Sequence, residues 1–150
     1  MIQRIQSIYL LVASVLLTIC LFLPWVYYTV DSSETLISPF AIAGKGIRAI
    51  GLGVFLVASL ALTVAAIFQF KNRTHQMKMV RLSAILSLLS FAVFGGYHYM
   101  IIQALGADDN LIMSYQLVVA FPIIALIFYW LAYKSIKKDH DLVRSVDRLR

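Results

Sequence analysis

Four stretches of this chain contain no Asp, Glu, Lys or Arg: residues 5–30, 49–70, 82–107 and 111–133. A helix crosses the hydrocarbon core of a bilayer with about 20 predominantly apolar residues, each adding about 1.5 Å of rise. Each stretch is therefore long enough to span a membrane, and little chain remains between them. The pattern predicts an all-α fold: a four-helix transmembrane up-and-down bundle that forms one integral membrane domain over 1–150, followed from 134 to 150 by a cytoplasmic tail. Within that tail Leu142, Val143, Val146 and Leu149 recur on one helical face. Asp147 lies three residues from both Arg144 and Arg150, where opposite charges support a helix. The last span is thus expected to continue as an amphipathic C-terminal helix. That helix either lies on the inner leaflet or packs on a partner or on the bundle's own inner connection.

Composition sharpens this picture. Hydrophobic residues make up 61% of the chain and charged residues 13%, against about 25% charged in ordinary soluble domains. The net charge of +6 does not point to nucleic acid, because the basic residues are sorted by connection. Arg4, the connection bearing Lys71, Arg73, Lys78 and Arg81, and the tail bearing Lys134, Lys137, Lys138, Arg144, Arg148 and Arg150 fall on one side. Only Lys45 and Arg48 fall on the other. By the positive-inside rule both termini and the middle connection are cytoplasmic, and Asp108 and Asp109 face out. The basic residues of the middle connection would hold it at anionic lipids on the cytoplasmic face, or would receive an acidic partner.

Several local features have bland readings. Arg4 before an apolar run resembles a secretory signal peptide, but the charge-free run continues through Val30 with no A-x-A-like site near its end. Cys20 is the single cysteine, so an intramolecular disulfide or dithiol cycle is excluded. The longest outer connection, Asp31 to Arg48, reads as a solvated turn at Asp31–Glu34, a break at Ser38-Pro39, and an apolar Phe40–Ala43 lying on the bilayer or the bundle. Gly51 and Gly53 are expected to permit close helix contact. Pro24 and Pro122 can kink or end their helices. Trp25, Tyr27 and Tyr28 at one end, and Tyr129, Trp130 and Tyr133 at the other, fit the two interfacial aromatic belts. Asn72-Arg73-Thr74 matches a glycosylation triplet only by letters, being on the cytoplasmic side.

Candidate chemistry centres on His98, the one histidine inside a span. It lies about 24 Å along its helix from Leu82, near the outer interface. Tyr97 precedes it, Gln103 follows, and Tyr115 and Gln116 on the fourth span should sit at a similar depth. Such a cluster either makes interhelical hydrogen bonds or holds a quinone head group, a haem edge or a proton. Other chemistries lack their residues. Dithiol oxidation needs two cysteines, a bis-histidine haem needs two facing histidines, proton-coupled export needs a buried carboxylate, and a metal site needs several converging ligands. No nucleophile and base stand at a recognisable spacing, so no cofactor and no catalytic residue are assigned.

The opening Met1-Ile2-Gln3-Arg4-Ile5-Gln6-Ser7-Ile8-Tyr9-Leu10 and the closing Asp141-Leu142-Val143-Arg144-Ser145-Val146-Asp147-Arg148-Leu149-Arg150 resemble the two ends of a family of short bacterial four-span membrane proteins known only as a domain of unknown function. The resemblance covers the whole chain in length and span order. It implies residence in the bacterial inner membrane and supplies no mechanism. The expected function is a non-enzymatic accessory or scaffold subunit that binds other membrane proteins, with Arg4, Leu142, Arg144, Val146, Asp147, Arg148 and Arg150 as the contact surface. The alternative is a binder or carrier of a quinone or lipid at Tyr97, His98, Gln103, Tyr115 and Gln116.

Overall fold

The computed structural model describes residues 3–30, 33–40, 42–43, 47–48, 50–105 and 111–148, with backbone alone for 3, 4, 33, 42, 43, 47, 48 and 146–148. Among these residues four long helices each turn one face inward at alternating three- and four-residue steps, the spacing of knobs-into-holes packing. Helix α1 (Gln3–Phe22) buries Gln6, Leu10, Ala13, Leu17 and Cys20, and α2 (Ile50–Phe68) buries Leu52, Leu56, Ser59, Thr63 and Ala66. Helix α3 (Arg73–Leu105) buries Gln76, Val80, Ser83, Ser87, Ser90, Phe94 and Ile101. Helix α4 (Phe121–Arg148) buries Ala125, Tyr129, Ala132 and Ile136. Helix α1 packs on α2 and α4, and α3 packs on the same two.

The outward faces are apolar: Leu11, Val15, Val54, Val57, Ile85, Leu88 and Ile127 are all exposed. A water-soluble bundle places charge there. The inward faces, by contrast, carry small and hydroxylated residues, as membrane helices do where backbones approach closely. Ser59 Oγ donates to the Ser83 carbonyl at 2.8 Å, joining α2 to α3, and Ser87 Oγ donates to the Pro122 carbonyl at 3.3 Å, joining α3 to α4. The Tyr129 hydroxyl meets Thr63 Oγ1 at 2.5 Å and Ser59 Oγ at 3.4 Å. Four helices among the described residues are long and apolar enough to cross a membrane, and the chain is a multi-pass membrane protein.

The elements differ from the sequence pattern at three places. The first span ends at Phe22, not at residue 30. Pro24 follows the last helical hydrogen bond, Leu23 N to Ile19 O at 3.2 Å, and proline excludes its predecessors from continuing the helix. The chain then forms strand β1 (Val26–Val30), paired antiparallel with β2 (Ser33–Ile37) in the register Val26↔Ile37 to Val30↔Ser33. Most of the described residues of the outer connection read as loop are therefore sheet. A short ladder of β3 (Ile42–Ala43) on β4 (Ile47–Arg48) follows, and Asp31 and Ser32 lie outside the described residues.

Second, the fourth charge-free stretch is not helical throughout. Its first part is strand β5 (Ile112–Tyr115), which pairs with the free edge of β1 to give the order β2-β1-β5, and a single 3₁₀ turn (Leu117–Ala120) leads into α4. Pro122 therefore sits in the first turn of α4, where a missing N–H costs nothing, and does not kink a helix interior. Third, the inner connection read from Lys71 to Arg81 is mostly helix. Asn72 accepts the backbone N–H of His75 on its Oδ1 at 3.1 Å, an N-cap that starts α3 at Arg73.

Candidate functional site

The β layer covers one end of the bundle and positions a phenol–imidazole cluster. Trp25, fully buried, donates its backbone N–H to Ile37 O at 2.7 Å and accepts from Gln116 N at 3.0 Å, so one residue links the outer strand segments. Its indole N–H donates to the Cys20 carbonyl at 3.1 Å, satisfying a group that the end of α1 leaves open, and its ring packs on Phe94 at 5.0 Å. Three residues after Trp25, on β1, the buried Tyr28 reaches α3, where its hydroxyl hydrogen-bonds His98 Nδ1. From β5 the hydroxyl of Tyr115 meets His98 Nε2 at 3.1 Å. Phe94 stacks on the same imidazole at 5.8 Å.

Both ring nitrogens of His98 are thus engaged by tyrosines. A neutral imidazole offers one donor and one acceptor, and a phenol can take either role, so the two tyrosines satisfy it in either tautomer. Burial first, and the neighbouring Tyr115 phenol second, push the Tyr28 hydroxyl well above the usual tyrosine range. Of the residues expected to form a ligand cluster, His98 and Tyr115 come together. The others do not join them. Gln103 donates to Tyr99 Oη at 3.3 Å on its own helix, Tyr97 leans toward α2, where a Cβ on Gly51 would lie 3.1 Å from its Oη, and Gln116 contributes backbone hydrogen bonds. Tyr115 and Gln116 precede α4 and are not on it. Tyr28 is the member that the sequence reading misplaced, as a helix-end anchor. The arrangement braces the sheet on α3 through hydrogen bonds to both imidazole nitrogens.

At the opposite end the structure assembles a polar latch. Arg73, opening α3, donates from Nη1 to the Asp139 carbonyl at 2.9 Å and pairs through Nη2 with Asp139 Oδ2 at 3.3 Å. Gln6 on α1 donates to the Ser135 carbonyl at 3.3 Å and approaches Asp139 Oδ2 at 3.5 Å. The tail expected to begin at 134 therefore stays on the bundle as far as Asp139 and His140, because Gln6 and Arg73 hold it there. Beyond the latch α4 continues unbroken to Arg148 with Asp141 to Ser145 exposed, including the apolar Leu142 and Val143.

Of the remaining residues expected at a contact surface, Arg144 is exposed on this extension. Arg4 is on α1 and Val146, Asp147 and Arg148 are on α4 by backbone alone, and Arg150 and Leu149 lie outside the described residues. Among the described residues no three His, Cys, Asp or Glu side chains converge.

Residues 2–149 match the family described as Domain of unknown function (DUF4293). The chain belongs to that family. No curated protein matches it. The match reaches from α1 through the α4 extension, so the bundle, the sheet and the extension all fall within one family unit.

Proposed function

We propose that this chain is a non-enzymatic accessory or scaffold subunit of a bacterial inner-membrane complex, passing up and down through the bilayer with both termini cytoplasmic. The asymmetry of its basic residues supports that orientation. The observation that carries the functional reading is the change of character along α4. Ile136 is wholly buried in the bundle, whereas one to two turns later Leu142 and Val143 are 48% and 47% exposed on a charged helix. Leu142 shares its surface with Lys137 and Lys138, while Val143 looks across a concavity to Phe70 and Arg73, and a helix with half-exposed apolar residues beyond its last buried contact is suited to lie in the groove of another protein.

The absence of charge within the apolar stretches, and the engagement of both His98 ring nitrogens by tyrosines, favour this reading over a ligand carrier. The test is the size of the assembly after gentle solubilisation from its native membrane, for the full chain and for a chain ending at His140, which keeps the latch. The proposal expects the full chain in a larger hetero-assembly and the shortened chain released from it. A full chain that runs alone, or a shortened chain that stays in the assembly, refutes it.

A further inference from the structure

A second feature of the basic end is independent of the extension. Between α3 and α4 the surface sinks into a groove of about 210 Å³ whose walls are Val80, Ala84, Leu126 and the ring of Tyr129, with Trp130 and Tyr133 at its rim. Arg81 lines it as well. Its guanidinium lies 4.6 Å from the centre of the Tyr133 ring and donates to the Tyr133 hydroxyl. Lys134 does not line the groove itself, but its Nζ lies 5.1 Å from the centre of the ring of Trp130, which does.

Two cations are thus held over two aromatic faces that line the groove. Neither has a carboxylate partner: Arg73–Asp139 is the ion pair among the described residues. The nearest acid along α4 on the Lys134 side is Asp141, two turns on, facing the exposed surface that Lys134 shares with Lys137 and Lys138.

Their depth follows from the sequence. Arg81 is the last charge before the charge-free stretch beginning at Leu82, and Lys134 is the first charge after the stretch ending at Tyr133. Both therefore stand where hydrocarbon gives way to head groups, the level that tryptophan and tyrosine also favour. The groove is smaller than the roughly 300–1,000 Å³ of drug-sized ligand sites and is apolar along its length, which suits a segment of one acyl chain. Guanidinium matches phosphate oxygens in planar, two-point geometry.

We propose that this groove binds one anionic phospholipid, with an acyl chain against Val80, Ala84 and Leu126 and its phosphate held between Arg81 and Lys134. The inference requires the bundle to be embedded in a bilayer. It needs neither the accessory role nor an assignment of which side is cytoplasmic.

Native mass spectrometry of the full chain from nanodiscs containing equal phosphatidylglycerol and phosphatidylcholine tests the assignment. The wild type retains one phosphatidylglycerol in preference to phosphatidylcholine. Arg81→Gln and Lys134→Gln each reduce that preference roughly fivefold, the effect of one interfacial cation on an anionic lipid. Ala84→Phe, which fills the groove and leaves both cations, abolishes retention of the single lipid. Glycerol phosphate in solution does not displace it.

Equal retention of the two lipids, or unchanged retention in Ala84→Phe, overturns the proposal. Displacement by glycerol phosphate would instead make the site one for a soluble phosphate compound, and overturns it as well. Circular dichroism in the same nanodiscs identifies any variant that has lost its fold, and Arg81→Lys, which keeps the charge and loses the two-point geometry, retains more of the lipid preference than Arg81→Gln.

Discussion

Replacing Asp139 by Asn tests whether the latch sets where α4 leaves the bundle. The substitution removes the charge facing Arg73 Nη2 at 3.3 Å but keeps the 2.9 Å hydrogen bond to the backbone carbonyl. Exposed ion pairs contribute about 0.2–1 kcal/mol, whereas breaking a fully buried one costs about 3–5 kcal/mol. With side-chain exposures of 21% for Arg73 and 13% for Asp139, this pair lies between those limits, nearer the lower because the backbone bond survives. A loss of about 1–2 kcal/mol is expected, and the approach of Gln6 at 3.5 Å adds little, being at the edge of hydrogen-bond geometry.

The assay is a double-mutant cycle of Arg73→Gln and Asp139→Asn, followed by unfolding in mixed micelles. A coupling energy of about 1 kcal/mol is expected for groups in direct contact. The same loss should loosen the helix between Lys134 and His140, raising amide exchange there by a factor of about 5–30 while residues 121–133 keep their protection. A coupling below about 0.3 kcal/mol, within the error of additive sites, would refute the reasoning. So would unchanged exchange over 134–140.

Two further predictions concern the sheet end. Gly53→Ala should destabilise the fold by about 1–3 kcal/mol through overpacking, since its Cβ would lie 2.7 Å from both the Pro39 carbonyl and the Phe40 ring. Gly96→Ala, with nothing within 4 Å, should be neutral or stabilising by up to about 1 kcal/mol, and thermal unfolding of the two variants side by side checks the contrast. Burial raises the Tyr28 phenol above the ordinary tyrosine value near 10, so its neutral form is favoured in the fold. The stability it contributes is complete below about pH 10 and is lost as pH rises toward the folded-state value. Absorbance titration at 295 nm should therefore show wild type and Tyr28→Phe gaining the same tyrosinate signal between about pH 9 and 11, and an extra ionising group in the wild type would contradict this.

The helices were legible to the extent that hydropathy alone defines them. The second charge-free stretch, 49–70, corresponds to Ile50–Phe68 because charge and turn residues bound it on both sides. Hydropathy cannot separate strand from helix inside an apolar run, which is why 26–30 and 112–115 were absorbed into the first and fourth spans. A signal was present in Val26-Tyr27-Tyr28-Thr29-Val30, a β-branched and aromatic run directly after Pro24. Missing that strand also removed Tyr28 from the His98 cluster, since a helix-end tyrosine would have had no reason to approach α3.

The opposite error affected Lys71–Arg81, where basic residues suggested a loop although lysine and arginine are good helix formers and Asn72 supplies a cap. That the tail continues as helix was readable from its spacing, since α4 runs on to Arg148. The latch was not, because it joins Gln6, Arg73 and Asp139 from three helices and nothing local to any of them announces the others.

The central claim is that α4 beyond His140 contacts another membrane protein, and photo-crosslinking in the native membrane tests it most directly. A photoreactive residue at Leu142 or Val143 on the extension is compared with one at Ile127, which is also exposed but lies within the span. The account predicts one discrete heterologous protein adduct from 142 and 143, identical between the two sites, and lipid adducts from 127. Lipid adducts alone from all three positions would contradict it.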